Sequence, residues 1–162
     1  MMKIIRAQEP LMDEKVKSIF LAGPTPRNKN VKSWRIDAIK LLEDKNFDGI
    51  IYSPEPVNVE SYKNYDDQMN WEQEALDESD IILFYIPRDL SLDENNKLKM
   101  PAFTTNIEFG LYAKSGKCVV AIPEDKIKVS SNQYIQKCCA KFNIPFKYSL
   151  EEIINEAIRL LK

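Results

Sequence analysis

The chain has 162 residues, of which 30% are charged and 44% hydrophobic, and a formal net charge of -2. That length suits one domain with a core that needs no disulfide or metal, and the near-balanced charge excludes a general attraction to nucleic acid or membrane, so any phosphate must be met locally. There is no histidine, which excludes Ser-His-Asp and Cys-His machinery and His-based metal sites and leaves carboxylates as the candidate acids, bases and nucleophiles.

The N-terminal stretch MMKIIRAQEPLMDEK interrupts its apolar run with Arg6, Gln8 and Glu9 and does not read as a signal peptide. Residues 1–17 are expected to form an arm or an edge strand of a domain spanning 18–162. SIFLA (18–22) is the first predicted strand, followed by the loop GPTPRNKNVKSWR. There Gly23 permits close backbone approach, Pro24 stiffens the turn, and Arg27 offers a fork of donors suited to an anion, although neither the Walker A nor the dinucleotide glycine pattern is present. A plain solvated connection explains the same loop equally well. A helix follows near 32–44, then the strand GIIYS (49–53), the turn SPEP, a helix near 65–79 and the strand IILFYI (81–86). A long polar loop from Pro87 through Arg88 to Pro101 leads to a helix near 105–115, the strand CVVAI (118–122), a helix near 131–142 and a weaker strand at 144–149. A last helix opens with the capping box Ser149 to Glu152.

Continuous apolar runs bounded by turn formers are the mark of strands buried on both faces, and their alternation with helices predicts an α/β fold with a parallel five-stranded sheet between two helical layers. In such sheets ligands bind beyond the carboxyl ends of the strands, beside the point where strand order reverses. The three cysteines, Cys118, Cys138 and Cys139, form no CxxC or ligand set and read as reduced thiols of a cytoplasmic protein. No apolar stretch approaches membrane-spanning length.

Two carboxylates stand out. In MPAFTTNIEFG, Thr105 and Glu108 have the S/T-x-x-E spacing of a capping box, and a carboxylate in a first turn is also kept ionised by the helix dipole, as a nucleophile would need. Spacing alone does not choose between a cap and a nucleophile. In YDDQMNWEQEALDESD, Tyr65, Met69, Glu72, Leu76 and Ser79 fall on one helical stripe, which puts Glu72 where an apolar residue belongs. A helix phased differently would leave Glu72 on a wet boundary. Trp71 beside it can stack on a base or pack in the core.

The combination IFLAGPTPR, SWR, IYSPEP, WEQEALDESDIILFYIPRD and MPAFTTNIEFG resembles the nucleoside 2-deoxyribosyltransferase-like family over roughly residues 18 to 122. The resemblance implies a flavodoxin-like α/β sandwich, no metal, no organic cofactor, and a homo-oligomer whose neighbouring subunits help complete each site. It implies that Glu108 attacks C1' of a deoxyribose to form a covalent glycosyl-enzyme. The family places a second acid eight residues before the aspartate that opens the third strand; that aspartate is Asp80, and Glu72 stands eight before it. The substrate, a deoxynucleoside or deoxynucleotide with a free nucleobase, is then expected against Phe20, Gly23, Pro24, Arg27, Trp71, Arg88, Thr104, Thr105 and Asn106. This chain has Glu72 where the family usually has aspartate, Ala102 where it has aspartate or serine, and Phe20 where transferases can have tyrosine. Three readings follow: a deoxyribosyltransferase, a deoxynucleoside 5'-monophosphate N-glycosidase favoured by Arg27, and a nucleotide-binding sensor without turnover, consistent with Ala102.

Overall fold

Short apolar runs alternating with amphipathic helices build a sheet covered on both faces. The computed structural model describes residues 1–12, 15–28, 30–56 and 64–162. Among these the chain runs β1 (Lys3–Arg6), β2 (Ser18–Ala22), α1 (Trp34–Asp44), β3 (Ile50–Ser53), α2 (Tyr65–Glu78), β4 (Ile81–Tyr85), β5 (Asp89–Leu92), β6 (Leu98–Met100), α3 (Phe103–Tyr112), β7 (Cys118–Ala121), α4 (Asn132–Lys141), β8 (Phe146–Lys147) and α5 (Leu150–Leu160).

The main sheet has the order β1-β3-β2-β4-β7-β8, with every neighbouring pair parallel. It therefore has six strands where five were expected. The additional strand is β1, whose Lys3 to Arg6 pair in register with Ile50 to Ser53. Only Ile5 of β1 is fully buried, so this edge strand lacks the continuous apolar run that marks the inner ones. The expected strand at 144–149 contracts to the two residues of β8 at the opposite edge.

Alternate residues of each strand feed two separate cores, as the pleat requires. Ile19, Leu21, Ile51, Leu83 and Val119 pack with Trp34, Ala38 and Leu42 of α1 and with Ile153, Ile154 and Ala157 of α5. Phe20, Ala22, Tyr52, Phe84 and Val120 pack instead with Trp71, Ala75 and Leu76 of α2, Phe109 of α3, and Ile135 and Cys139 of α4. The result is the three-layer, flavodoxin-like arrangement expected. Ser149 caps α5 by accepting from the Glu152 amide at 3.3 Å, while its hydroxyl donates to the Glu152 carboxylate at 2.8 Å.

The segment between β4 and α3 is not an open loop. Its residues form the antiparallel hairpin β5-β6, and the Arg27 amide donates to the Lys99 carbonyl at 3.4 Å, tying the hairpin to the loop after β2. All three cysteines are free, with Cys118 and Cys139 buried. No helix among the described residues is long and apolar enough to cross a membrane.

Candidate active site

The strand order reverses beside β2, which has β3 on one side and β4 on the other, and this is where a crevice forms at the strand ends. Gly23 leaves β2 with φ of +142°, and a Cβ built there would lie 2.2 Å from the Tyr85 carbonyl oxygen. Only glycine lets the loop cross the end of β4 this closely. The close approach is thus to protein backbone. Trp34 steadies the same loop, its indole Nε1 donating to the Pro24 carbonyl at 3.0 Å.

Arg35, in the first turn of α1, organises the loop from below and is only 2% exposed. Its Nε donates to the Leu21 carbonyl at 3.0 Å and its Nη2 to the Gly23 carbonyl at 2.7 Å. Its Nη1 donates to Thr25 Oγ1 and to Glu55 Oε1, both at 3.0 Å. Glu55 of SPEP accepts further from the Ser33 hydroxyl at 2.8 Å. One guanidinium therefore joins the end of β2, the loop after it and the loop after β3.

The α2 helix is phased differently from the expected stripe. Tyr65 and Met69 are 80% and 41% exposed, and the buried face is Gln68, Trp71, Ala75 and Leu76. The reason is geometric: the stripe through Tyr65, Met69 and Glu72 edges a cleft and not the core. Glu72 is half-buried there, and its Oε1 accepts from Gln68 Nε2 at 2.7 Å. Trp71, one position away, turns into the core, where its Nε1 donates to the Glu9 carbonyl at 2.7 Å and its ring tilts against Phe20 with centroids 6.5 Å apart.

On α3 the expected capping box is absent. The helix opens at Phe103 after Ala102, which takes the left-handed conformation (φ 59°, ψ 36°) and supplies no side-chain cap. Thr105 is buried within the first turn, so Glu108 comes in the second turn, past the reach of the strongest dipole effect. Arg88 makes this start possible. Its Nη1 donates to the carbonyls of Pro101 and Ala102, its Nε to Asn132 Oδ1 at 2.8 Å, and its Nη2 to Asn106 Oδ1. A buried guanidinium grips the bend that a short capping side chain does not.

These elements enclose a cleft of about 440 Å³. Of the residues expected at the site, Gly23, Pro24, Arg27, Glu72, Thr104, Thr105 and Glu108 line it together. Phe20, Trp71, Arg88 and Asn106 do not. Phe20 and Trp71 belong to the core, while Arg88 and Asn106 hold the start of α3 from behind. Arg35 and Gln68 are lining residues that the sequence reading missed. The signal for Arg35 was its place: a cation in a first turn is disfavoured by the helix dipole and implies a compensating partner.

The electrostatics differ from the sequence expectation too. Burial, reinforced by the Glu72 charge and opposed by Arg35, pushes the Glu108 carboxyl up from its ordinary 4.5 to about 8. The expected dipole-stabilised carboxylate is instead a carboxyl group that retains its proton near neutrality. Burial raises Glu72 as well, against the hydrogen bond from Gln68 and the charge of Arg35. The Glu72 charge helps to hold the proton on Glu108, because a carboxylate close by disfavours a second one. Nucleophilic attack by Glu108 coupled to protonation of a leaving group by Glu72 needs the converse distribution, which transfer of one proton from Glu108 to Glu72 supplies.

The profile of a family described as nucleoside 2-deoxyribosyltransferase like matches residues 16–126. No curated protein matches the chain. Among solved structures, a conserved protein from Enterococcus faecalis V583 is similar at 19% identity and a TM-score of 0.54, over 89% of this chain and 98% of that one. That likeness concerns the fold alone.

Proposed function

The chain belongs to the nucleoside 2-deoxyribosyltransferase-like family, and from that premise we propose that it cleaves the N-glycosidic bond of 2'-deoxynucleosides and transfers the sugar to a second base. The observation that carries this reading is the meeting of Glu108 from α3 and Glu72 from α2 in one cleft, with Arg35 charge acting on both. Near neutrality the proton is favoured on Glu108, so the reactive form is the one in which that proton has passed to Glu72 and Glu108 is ionised. The Glu108 carboxylate attacks C1' as the bond to the base breaks through an oxocarbenium-like state. The departing nitrogen takes its electron pair and the Glu72 proton. An acceptor base then attacks C1', gives its proton to Glu72, and releases Glu108.

The test is incubation of the protein with deoxynucleosides, deoxynucleotides and a free acceptor base, read by chromatography. A new nucleoside built on the acceptor marks transfer. Free deoxyribose from a nucleoside, or deoxyribose 5-phosphate from a nucleotide, marks hydrolysis, and unchanged starting material removes the proposal. Glu72→Ala is expected to slow cleavage of poor leaving bases far more than good ones, by ~10²-fold or more, because loss of a general acid matters most where protonation is needed. Equal slowing across leaving bases would deny Glu72 that role.

The hydrolase reading on 5'-monophosphates is favoured by one observation. Arg27 lies exposed at the cleft, and no described residue pairs with its guanidinium. If it takes a 5'-phosphate, Arg27→Ala raises KM for deoxynucleotides by ~10-fold or more, the worth of one charge-assisted contact, and leaves nucleosides unaffected. A KM change of the same size for both substrates would make Arg27 a structural residue.

A further inference from the structure

Gln68 stands one turn before Glu72 on α2 and is 9% exposed. Its Nε2 donates to the Pro54 carbonyl at 3.0 Å and to Glu72 Oε1 at 2.7 Å. A carbonyl can only accept, and a carboxylate does the same, so the amide has one orientation: its nitrogen must face both oxygens. No hydrogen bond at the other end competes for the orientation, since Gln68 Oε1 is buried without a partner among the described residues. A buried acceptor left unpaired is unfavourable, and the fold tolerates it at this position.

We infer that Gln68 is a positioning residue: it holds Glu72 Oε1 and leaves Glu72 Oε2 as the oxygen that carries the proton to the departing base. The inference rests on the reading of Glu72 as the proton donor. Besides Gln68, Arg35 from α1 and Glu108 from α3 face this carboxyl electrostatically. The guanidinium donors of Arg35 are directed to Leu21, Gly23, Thr25 and Glu55, so its charge acts on Glu72 through space, and Gln68 supplies the direct hydrogen bond. A donor on Oε1 favours the anion that remains once the proton has left, which makes Glu72 a stronger acid than burial alone would allow. Orientation and acid strength thus come from one amide, itself fixed to the backbone at Pro54.

The experiment uses the full chain with labelled glutamine side-chain amides and glutamate carboxyls, followed by nuclear magnetic resonance across pH. The Gln68 amide resonances should shift with the midpoint of the Glu72 carboxyl. In Gln68→Met that midpoint should move upward, kcat for poor leaving bases should fall about tenfold, and KM should stay unchanged. Gln68 amide resonances that ignore the titration of Glu72, an unmoved midpoint in Gln68→Met, or an equal loss for all leaving bases would each overturn the inference. Should Gln68→Met fail to fold, the amide titration of the wild type decides by itself. Absence of any cleavage by wild type is a different result: it removes the proposed reaction, while the amide titration still reports whether Gln68 holds Glu72.

Discussion

Glu108→Gln is expected to give a folded protein that forms no covalent sugar adduct and loses at least ~10³-fold in turnover, which corresponds to ~4 kcal/mol or more of transition-state stabilisation. The swap keeps the volume of the side chain and removes both its charge and its attacking oxygen. Because no capping box involves Glu108, the helix loses nothing at its start. Stability should even rise at alkaline pH. The Glu108 carboxyl lies at about 8 in the folded chain against an ordinary 4.5, so the native state favours the protonated form. That contribution is fully present below the unfolded-chain value and is lost as pH climbs through about 8. Glutamine does not titrate, so the variant should melt increasingly above wild type as pH goes from ~5 to ~9. Thermal melts across that window, with intact-protein mass spectrometry after a slow 2'-fluoro nucleoside analogue, give both readouts. An adduct in the variant, or one mapped to another residue in wild type, ends the nucleophile assignment. A melting difference that stays flat with pH would contradict the burial of this carboxyl.

Arg35→Met should be the most damaging substitution for the fold around the site, by ~3 to 5 kcal/mol, the usual consequence of removing one partner of a buried ion pair. Glu55 would keep its charge without the guanidinium, and the carbonyls of Leu21 and Gly23 would lose their donor. Methionine fills similar space, so the loss reports the polar network more than a cavity. A second consequence separates this residue from a purely structural one. Arg35 charge opposes the upward push of burial on both carboxyls, so without it Glu108 should ionise at higher pH and the rising limb of kcat/KM should move in the alkaline direction. Urea unfolding and a pH-rate profile measure the two effects. A stability loss below ~1 kcal/mol would mean that Glu55 and the loop carbonyls find other partners.

The sequence and the structure part company at identifiable places. The inner strands were legible because burial on both faces demands unbroken apolar runs, and β2, β3, β4 and β7 are buried at nearly every position. The edge strand β1 was legible only as an alternative, since one fully buried residue in four leaves almost no pattern. Glu72 and Glu108 were found from their places in the pattern and from the resemblance, and both line the cleft. Their physical setting was misread. The S/T-x-x-E spacing predicts a cap, yet Arg88, reaching from the segment after β4, fixes the bend at Ala102 and starts the helix two residues earlier. Trp71 and Glu72 are adjacent in the chain and point apart, into core and cleft.

What the sequence determined by itself is therefore everything set by local periodicity and by chemical inventory: parallel strands between two helical layers, carboxylates without histidine, and two acids in the segments that reach the strand ends. The tertiary structure alone decided the protonation and support of those acids. Burial of Glu108, the long-range hold of Arg35 on two loops, the grip of Arg88 on α3 and the contact of Gln68 with Pro54 all join residues from separate elements. The physical reason is that desolvation and through-space charge depend on what surrounds a group in three dimensions, whereas a helical or strand repeat reports only which side of its own element a residue occupies.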